Sequence, residues 1–183
     1  MLFRSNEDLL LIEADVAFDG ALLTRLLSGE ANAAAIAPHK PGMDGTVVRL
    51  DATGHVTALV EGREQGLNFD YKDTYKTINI YRFSGAYLRE EFRPALEASI
   101  AQGRVNDYYE LILRHTLQKN QWRIQGLDCG DLFWYEIDDQ VDRGNAEFIL
   151  LPPERQLSQL NRQHGSFWRH GVKDHTYLYN AYF

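Results

Sequence analysis

Three observations predict an α/β fold. Leu9-Leu-Leu-Ile-Glu-Ala-Asp15 is a continuous apolar run ending on a carboxylate. It reads as a buried strand of an α/β sheet, with its last side chain at the mouth of a crevice. Short apolar or alternating runs then recur between segments whose apolar residues fall at helical spacing. A second acidic cluster, Trp134-Tyr-Glu-Ile-Asp-Asp139, follows a further short strand. Two strand-end carboxylate sets point to a divalent metal and a phosphate-bearing substrate.

The elements follow in order. Leu9 to Ala14 is a strand apolar enough for the middle of a sheet, although little precedes it. Gly20 to Leu27 places Leu22, Leu23, Leu26 and Leu27 on one side of a short helix. Ala33 to Ala37 is a small, apolar second strand. His39 to Gly45 is a loop punctuated by proline and glycine. Thr46 to Leu50 and His55 to Val60 flank a hairpin turn at Asp51-Ala-Thr-Gly54. Glu61 to Thr74 is polar with little periodicity, the best segment for a mobile loop.

Thr77 to Phe83 alternates as a strand does. Leu88, Phe92, Leu96 and Ile100 give a helix over Tyr87 to Ile100. A second helix runs from Val105 to Leu117, capped by Asn106 or Asp107, with Tyr108, Leu111 and Ile112 inward. Trp122 to Leu127 and Phe133 to Ile137 are short strands. Gln140 to Leu150 is a helix ended by Pro152-Pro153, and Glu154 to Leu160 is a further short one. The domain reading is 1–162 as one domain. Residues 163–183 are then an aromatic linker or the start of a second domain, too aromatic for a free tail.

Composition excludes some classes of function. The 183 residues suffice for a real core, and the net charge of -7 supplies no basic field for a nucleic-acid polymer. One cysteine, Cys129, cannot form an internal disulfide, which points to a reducing, cytoplasmic setting. No apolar run reaches transmembrane length, so no membrane partner is expected. Asn6-Glu-Asp8 interrupts any signal-peptide pattern.

Individual residues carry less than the set. Asp15 suits Mg²⁺, which takes one or two carboxylates plus substrate phosphates, but a turn or cap role matches its position equally well. Asp19 suits a helix cap. Within Glu136-Ile-Asp-Asp139, Glu136 and Asp138 share a strand face and Asp139 takes the other. Capping of the next helix explains one of these acids; Asp142 favours that helix's first turn. Lys76 could meet a phosphate as a point charge, although a solvated strand-edge lysine is commoner. Arg82, between Tyr81 and Phe83, is equally open. Asp44 in Met43-Asp-Gly-Thr46 is first a turn signal and second an anchor for a cationic group. Cys129 lacks a histidine partner at motif spacing, the six histidines lack zinc spacing, and no P-loop or Gly-x-Gly-x-x-Gly occurs.

Leu10-Leu-Ile-Glu-Ala-Asp15-Val-Ala-Phe-Asp19 resembles the metal-binding strand of sugar-phosphate and choline-phosphate nucleotidyltransferases. Met43-Asp-Gly-Thr46, Lys76-Thr-Ile-Asn-Ile-Tyr-Arg-Phe-Ser84 and Trp134-Tyr-Glu-Ile-Asp-Asp139 resemble its succeeding motifs, in order, over most of Leu9 to Leu150. The nearest likeness is to cytidylyltransferases acting on phosphocholine or 2-aminoethylphosphonate.

The resemblance implies a Rossmann-like mixed sheet, three-layer and N-terminally incomplete, and Mg²⁺-dependent transfer of CMP from CTP to a phosphate or phosphonate oxygen with release of pyrophosphate. It makes Asp15 and Asp138 the metal ligands and catalytic carboxylates, and Lys76 the catalytic contact to a phosphate or phosphonate oxygen. Asp44, Tyr81, Glu136 and Asp139 complete the expected substrate contacts, with Asp44, Tyr81 and Glu136 around an ammonium or trimethylammonium head group.

The family's glycine-rich first loop has no counterpart here, so the chain resembles the C-terminal portion of such a domain, with impaired catalysis expected in isolation. Gly165 to Phe183 resembles the linker and opening of a fused aminotransferase domain. A homodimer or a rearranged sheet would cover the flank of the Leu9 to Ala14 strand. The alternatives are a sugar-1-phosphate nucleotidyltransferase using another nucleotide and a noncatalytic regulatory or assembly module.

Overall fold

The alternation in Ala33-Ala-Ala-Ile-Ala-Pro38 sets the centre of the fold. In the computed structural model, which describes residues 7–119 and 122–163, this segment is strand β3 (Ala33–Pro38). Ala34 and Ile36 face one hydrophobic cluster, and Ala33, Ala35 and Ala37 face another. Burial on both faces is the condition for an interior strand. The remaining strands are β1 (Leu9–Ile12), β2 (Val16–Phe18), β4 (Val47–Leu50), β5 (Val56–Val60), β6 (Tyr75–Phe83), β7 (Gln125–Asp128) and β8 (Trp134–Glu136). The helices are α1 (Gly20–Ser28), α2 (Gly85–Tyr87), α3 (Arg93–Ala101), α4 (Tyr109–Gln118), α5 (Gln140–Ile149) and α6 (Pro153–Gln163).

The chain divides into two compact units, Met1–Trp134 and Tyr135–Phe183. In the first, the sheet runs β5-β4-β6-β3-β7, with β1 paired to β6 off this path. The β3–β7 pair is parallel; β1–β6, β3–β6, β4–β6 and β4–β5 are antiparallel. The sheet is therefore mixed, as expected. Leu22 and Leu26 of α1 pack on one face with Ile78 and Ile80 of β6. Tyr87, Leu88, Phe92, Ile112 and Leu113 pack on the other with Tyr81 and Phe83. Helices on both faces give the three layers.

Local chemistry sets the helix boundaries. Asp19 caps α1 through Oδ1, which accepts from Ala21 N at 2.8 Å. Pro94, at the start of α3, lacks an N–H, and the chain winds wider over Leu88–Phe92 before α3 begins. The single helix expected over Tyr87 to Ile100 is thus three pieces.

Three further expectations are corrected. Strand β1 is half-buried rather than buried, and Ile12 is 40% exposed, because β6 is its hydrogen-bonded neighbour among the described residues. Helix α4 starts at Tyr109, and neither Asn106 nor Asp107 caps it: Tyr108 is the cap residue, without a side-chain bond. Tyr108 points outward, while Leu111 and Ile112 are inward as expected, because starting the helix at Tyr109 leaves the inward stripe on Leu111, Ile112 and Leu113.

In the second unit, Asp139 Oδ1 caps α5, accepting from Val141 N and Asp142 N at 2.7 and 2.9 Å. The expected aromatic segment beyond residue 163 lies outside the described residues. No helix among those described is long and apolar enough to cross a membrane.

Candidate functional site

Two of the motifs singled out in the sequence meet in the first unit. Lys76, near the start of β6, is buried. A Cβ added at Gly45 would lie 2.7 Å from its Nζ, so the lysine amine rests against the Gly45 backbone. Gly45 has φ +85°, a conformation that glycine adopts without strain. Glycine therefore serves twice here, for the turn and for the approach of Lys76. Next to it, Thr46 is buried and its carbonyl accepts from Thr77 N at 3.1 Å.

A group of acids that sequence reasoning missed surrounds this meeting point. Glu61 directly follows β5 and is buried. Both of its carboxylate oxygens lack a hydrogen-bond partner. Arg63 Nε lies 2.8 Å from Oε2 as an ion pair, outside hydrogen-bond alignment, and the Arg63 side chain is 60% exposed. Glu110, in the first turn of α4, is also buried. Glu13, just past β1, accepts from the Tyr109 hydroxyl at 2.8 Å. Gln65 ties the loop after β5 to the same place, donating to Gly45 O at 2.7 Å and Val60 O at 3.0 Å. On β6, Asn79 adopts φ +59°, and its Oδ1 accepts from Thr77 Oγ1 at 2.9 Å. A left-handed asparagine inside a strand is a strained choice that the surroundings must hold in place.

Electrostatics link these groups. Burial pushes the Glu110 carboxyl up; Glu13 and Glu61 add to the rise, while Thr46 and Lys76 oppose it. The folded protein therefore keeps a proton on Glu110 over a range where the unfolded chain, with its ordinary value of 4.5, has lost it. With more protons bound when folded, the stability contribution falls as pH rises from about 4.5 through the raised value. Glu110→Gln should flatten this slope and raise the melting temperature at neutral pH relative to wild type. Parallel melting curves for the two proteins from acid to neutral pH check this; identical slopes would rule out Glu110 as the source.

The other expected site residues are placed as follows. Asp15 is exposed in a turn after β1, and Asp44 is exposed between Gly42 and Gly45. Tyr81 is a core residue. Its ring stacks on Phe83 at 5.7 Å and meets the edge of Tyr109 at 5.9 Å, so its face is taken. Its buried hydroxyl has no aligned hydrogen-bond partner, and burial, with Glu110 and Glu13 nearby, pushes its pKa far up. In the second unit, Glu136 ends β8 and is half-buried, and Asp138 is exposed with its N–H donating to Asp142 Oδ2 at 3.2 Å. Asp139 is engaged as the α5 cap. Arg82 serves structure: it donates to Leu27 O at 2.8 Å and pairs with Asp8. Cys129 is fully buried, and burial pushes its thiol up, so it is a core residue.

No group of three or more His, Cys, Asp or Glu among the described residues forms a metal cluster. An Mg²⁺ ion that relies on one or two carboxylates and substrate phosphates needs none. The exposed oxygen donors of Asp15, at a strand end, fit that requirement.

A curated protein of Streptomyces rubellomurinus (strain ATCC 31215), CMP-5'-(3-aminopropyl)phosphonate synthase, is 42% identical over 182 residues. The match covers 97% of this chain and 28% of the synthase, so the chain spans little more than a quarter of its relative's length. The inositol-1-phosphate CTP transferase of T. maritima superposes with a TM-score of 0.53 at 14% identity, over 87% of this chain and 58% of that one. The chain has the nucleotidyltransferase fold. A protein assigned as a glucose-1-phosphate thymidylyltransferase from Bacillus anthracis, solved with sucrose, shares this fold with a TM-score of 0.56 at 12% identity, over 80% and 56% of the two chains. No family model matches the chain. The likeness seen in the sequence thus holds: the chain shares the fold of solved nucleotidyltransferases and is similar in sequence to a CMP-phosphonate synthase.

Proposed function

We propose that this chain contributes to the transfer of CMP from CTP to a phosphonate or phosphate oxygen, with release of pyrophosphate. The observation that carries this is the buried Lys76 amine held against Gly45, where two motifs expected of such an enzyme converge. The relation to a CMP-phosphonate synthase supports the same chemistry.

In the reaction, an acceptor oxygen forms a bond to the α-phosphorus of CTP, and the bond from that phosphorus to pyrophosphate breaks. The phosphonate oxygen is already ionised near neutral pH, so no general base is needed. Two anions must approach each other, and Lys76 offsets that repulsion at the acceptor. Asp15 is the residue of the first unit proposed to hold Mg²⁺; the role of Asp138 rests on the resemblance alone. When bound, Mg²⁺ supplies charge to the triphosphate oxygens and the leaving pyrophosphate. The cytoplasm is the proposed location.

Isothermal titration with CTP and Mg²⁺, beside Asp15→Ala, tests this. The expected result is Mg²⁺-dependent binding in wild type that is lost in the variant. A folded wild-type chain that binds no CTP, or an Asp15→Ala chain that binds it equally well with Mg²⁺, would count against the assignment.

A further inference from the structure

We propose that Glu61 and Glu110 form a subsite for a primary ammonium group on the acceptor. This rests on the transfer reading above and refines it, since it moves recognition of the amine away from Asp44, Tyr81 and Glu136.

Glu61 is the starting observation. Its side chain is 5% exposed, yet neither carboxylate oxygen receives a hydrogen bond. A buried acceptor left without a hydrogen bond is costly. The largely exposed Arg63 pairs with Oε2 at 2.8 Å outside hydrogen-bond alignment and leaves Oε1 unfilled. The fold has a simple use for the Glu61 backbone, whose carbonyl accepts from Glu64 N at 2.9 Å. That bond does not require a buried carboxylate.

The neighbours show what is missing. Glu110 interacts electrostatically with Glu61, Glu13 and Lys76. Three carboxyl groups share their surroundings with Lys76, and the raised Glu110 carboxyl shows that gathering them disfavours their ionised form. A cationic ligand would favour ionisation there. Lys76 in the same group gives the opposite polarity for a phosphonate, so the site fits a molecule carrying both ends.

The cation's chemistry follows from the donors. The unfilled Glu61 oxygens can accept N–H bonds, which a primary ammonium has and a trimethylammonium lacks. A trimethylammonium prefers open aromatic faces. Tyr81 offers none, because Phe83 and Tyr109 cover its ring. An aminoalkylphosphonate therefore fits, and phosphocholine does not.

The test compares 3-aminopropylphosphonate with propylphosphonate, and phosphoethanolamine with phosphocholine, by isothermal titration. Wild type should prefer each primary amine by about tenfold or more, the effect of a charged hydrogen bond. Glu61→Gln and Glu110→Gln should bring that ratio close to one while propylphosphonate affinity is kept. Arg63→Ala, which only strips the exposed arm, should preserve the preference. Circular dichroism establishes that each variant is folded. Equal binding of the amino and des-amino phosphonates by wild type would overturn the ammonium subsite and leave the transfer proposal standing, as would a preference unchanged in folded Glu61→Gln and Glu110→Gln. Failure of both phosphonates to bind would overturn the acceptor-site proposal itself, and the subsite with it.

Discussion

Lys76→Met is expected to weaken the binding of propylphosphonate sharply, and to lower any CMP transfer by about a hundredfold, as loss of a charge-stabilising donor does elsewhere. Methionine keeps the unbranched stem and the volume near Gly45 while removing the charge. Two effects then act together. The acceptor anion loses a cation placed at low dielectric, where its charge counts for more than in water. Glu110 also loses one of the groups that oppose the rise in its pKa, so more of it will be protonated at a given pH. The variant should therefore retain a folded spectrum while its dissociation constant for propylphosphonate rises. Unchanged affinity in a folded Lys76→Met protein would remove Lys76 from the acceptor site. Lys76→Arg should recover part of the binding, limited by the close packing of the lysine amine against Gly45, which leaves little room for a guanidinium.

Phe83→Ala should cost the most stability, about 3–5 kcal/mol, corresponding to a fall of about 6–20 °C in melting temperature. Phe83 is 1% exposed. Its ring centre lies 5.4 Å from Tyr87, 5.7 Å from Tyr81 and 6.1 Å from Phe92. Removing it opens a cavity that the sheet on one side and helical turns on the other cannot readily close. Tyr87 is further held by a 2.6 Å hydrogen bond with Thr116, so it is poorly free to move into the space. Thermal melting followed by circular dichroism gives the answer. A shift of only one or two degrees would mean that the cluster relaxes, and that the aromatic stack is not the main support of β6. The two variants separate the roles of one strand, with Lys76 at one end serving charge and Phe83 at the other serving packing.

The fold was largely legible in the sequence because burial leaves a periodic trace. Alternation exposed β6, and the leucines of Gly20 to Leu27 exposed α1 and its Asp19 cap. Short-range chemistry was legible too: Asp51-Ala-Thr-Gly54 forms the β4–β5 turn, with Gly54 at φ +82°. Helix α4 began later than expected because two polar residues with capping propensity, Asn106 and Asp107, precede a start that packing fixes at Tyr109. Strand β1 appeared interior because apolar content reports preference for burial, whereas the number of neighbouring strands is a tertiary matter.

The site was legible in part. Lys76 and the Met43–Thr46 segment stood out as motifs, and they do meet. Glu13, Glu61 and Glu110 did not stand out. Each sits beside apolar residues of its own element and belongs to no spaced pattern. Glu61 gave the best signal, a carboxylate directly after the apolar run of β5, yet such a residue ordinarily marks a strand end at the surface.

The sequence by itself determined the layers, the Asp19 cap and the order of the motifs, because hydrophobic period, turn residues and motif order are local properties. Tertiary structure alone decided which acids are buried and which charges share one place. Glu13, Glu61, Lys76 and Glu110 are distant in the chain, and the rise of the Glu110 carboxyl and the unfilled Glu61 oxygens arise from burial and mutual proximity. Neither exists until the sheet and α4 have packed together.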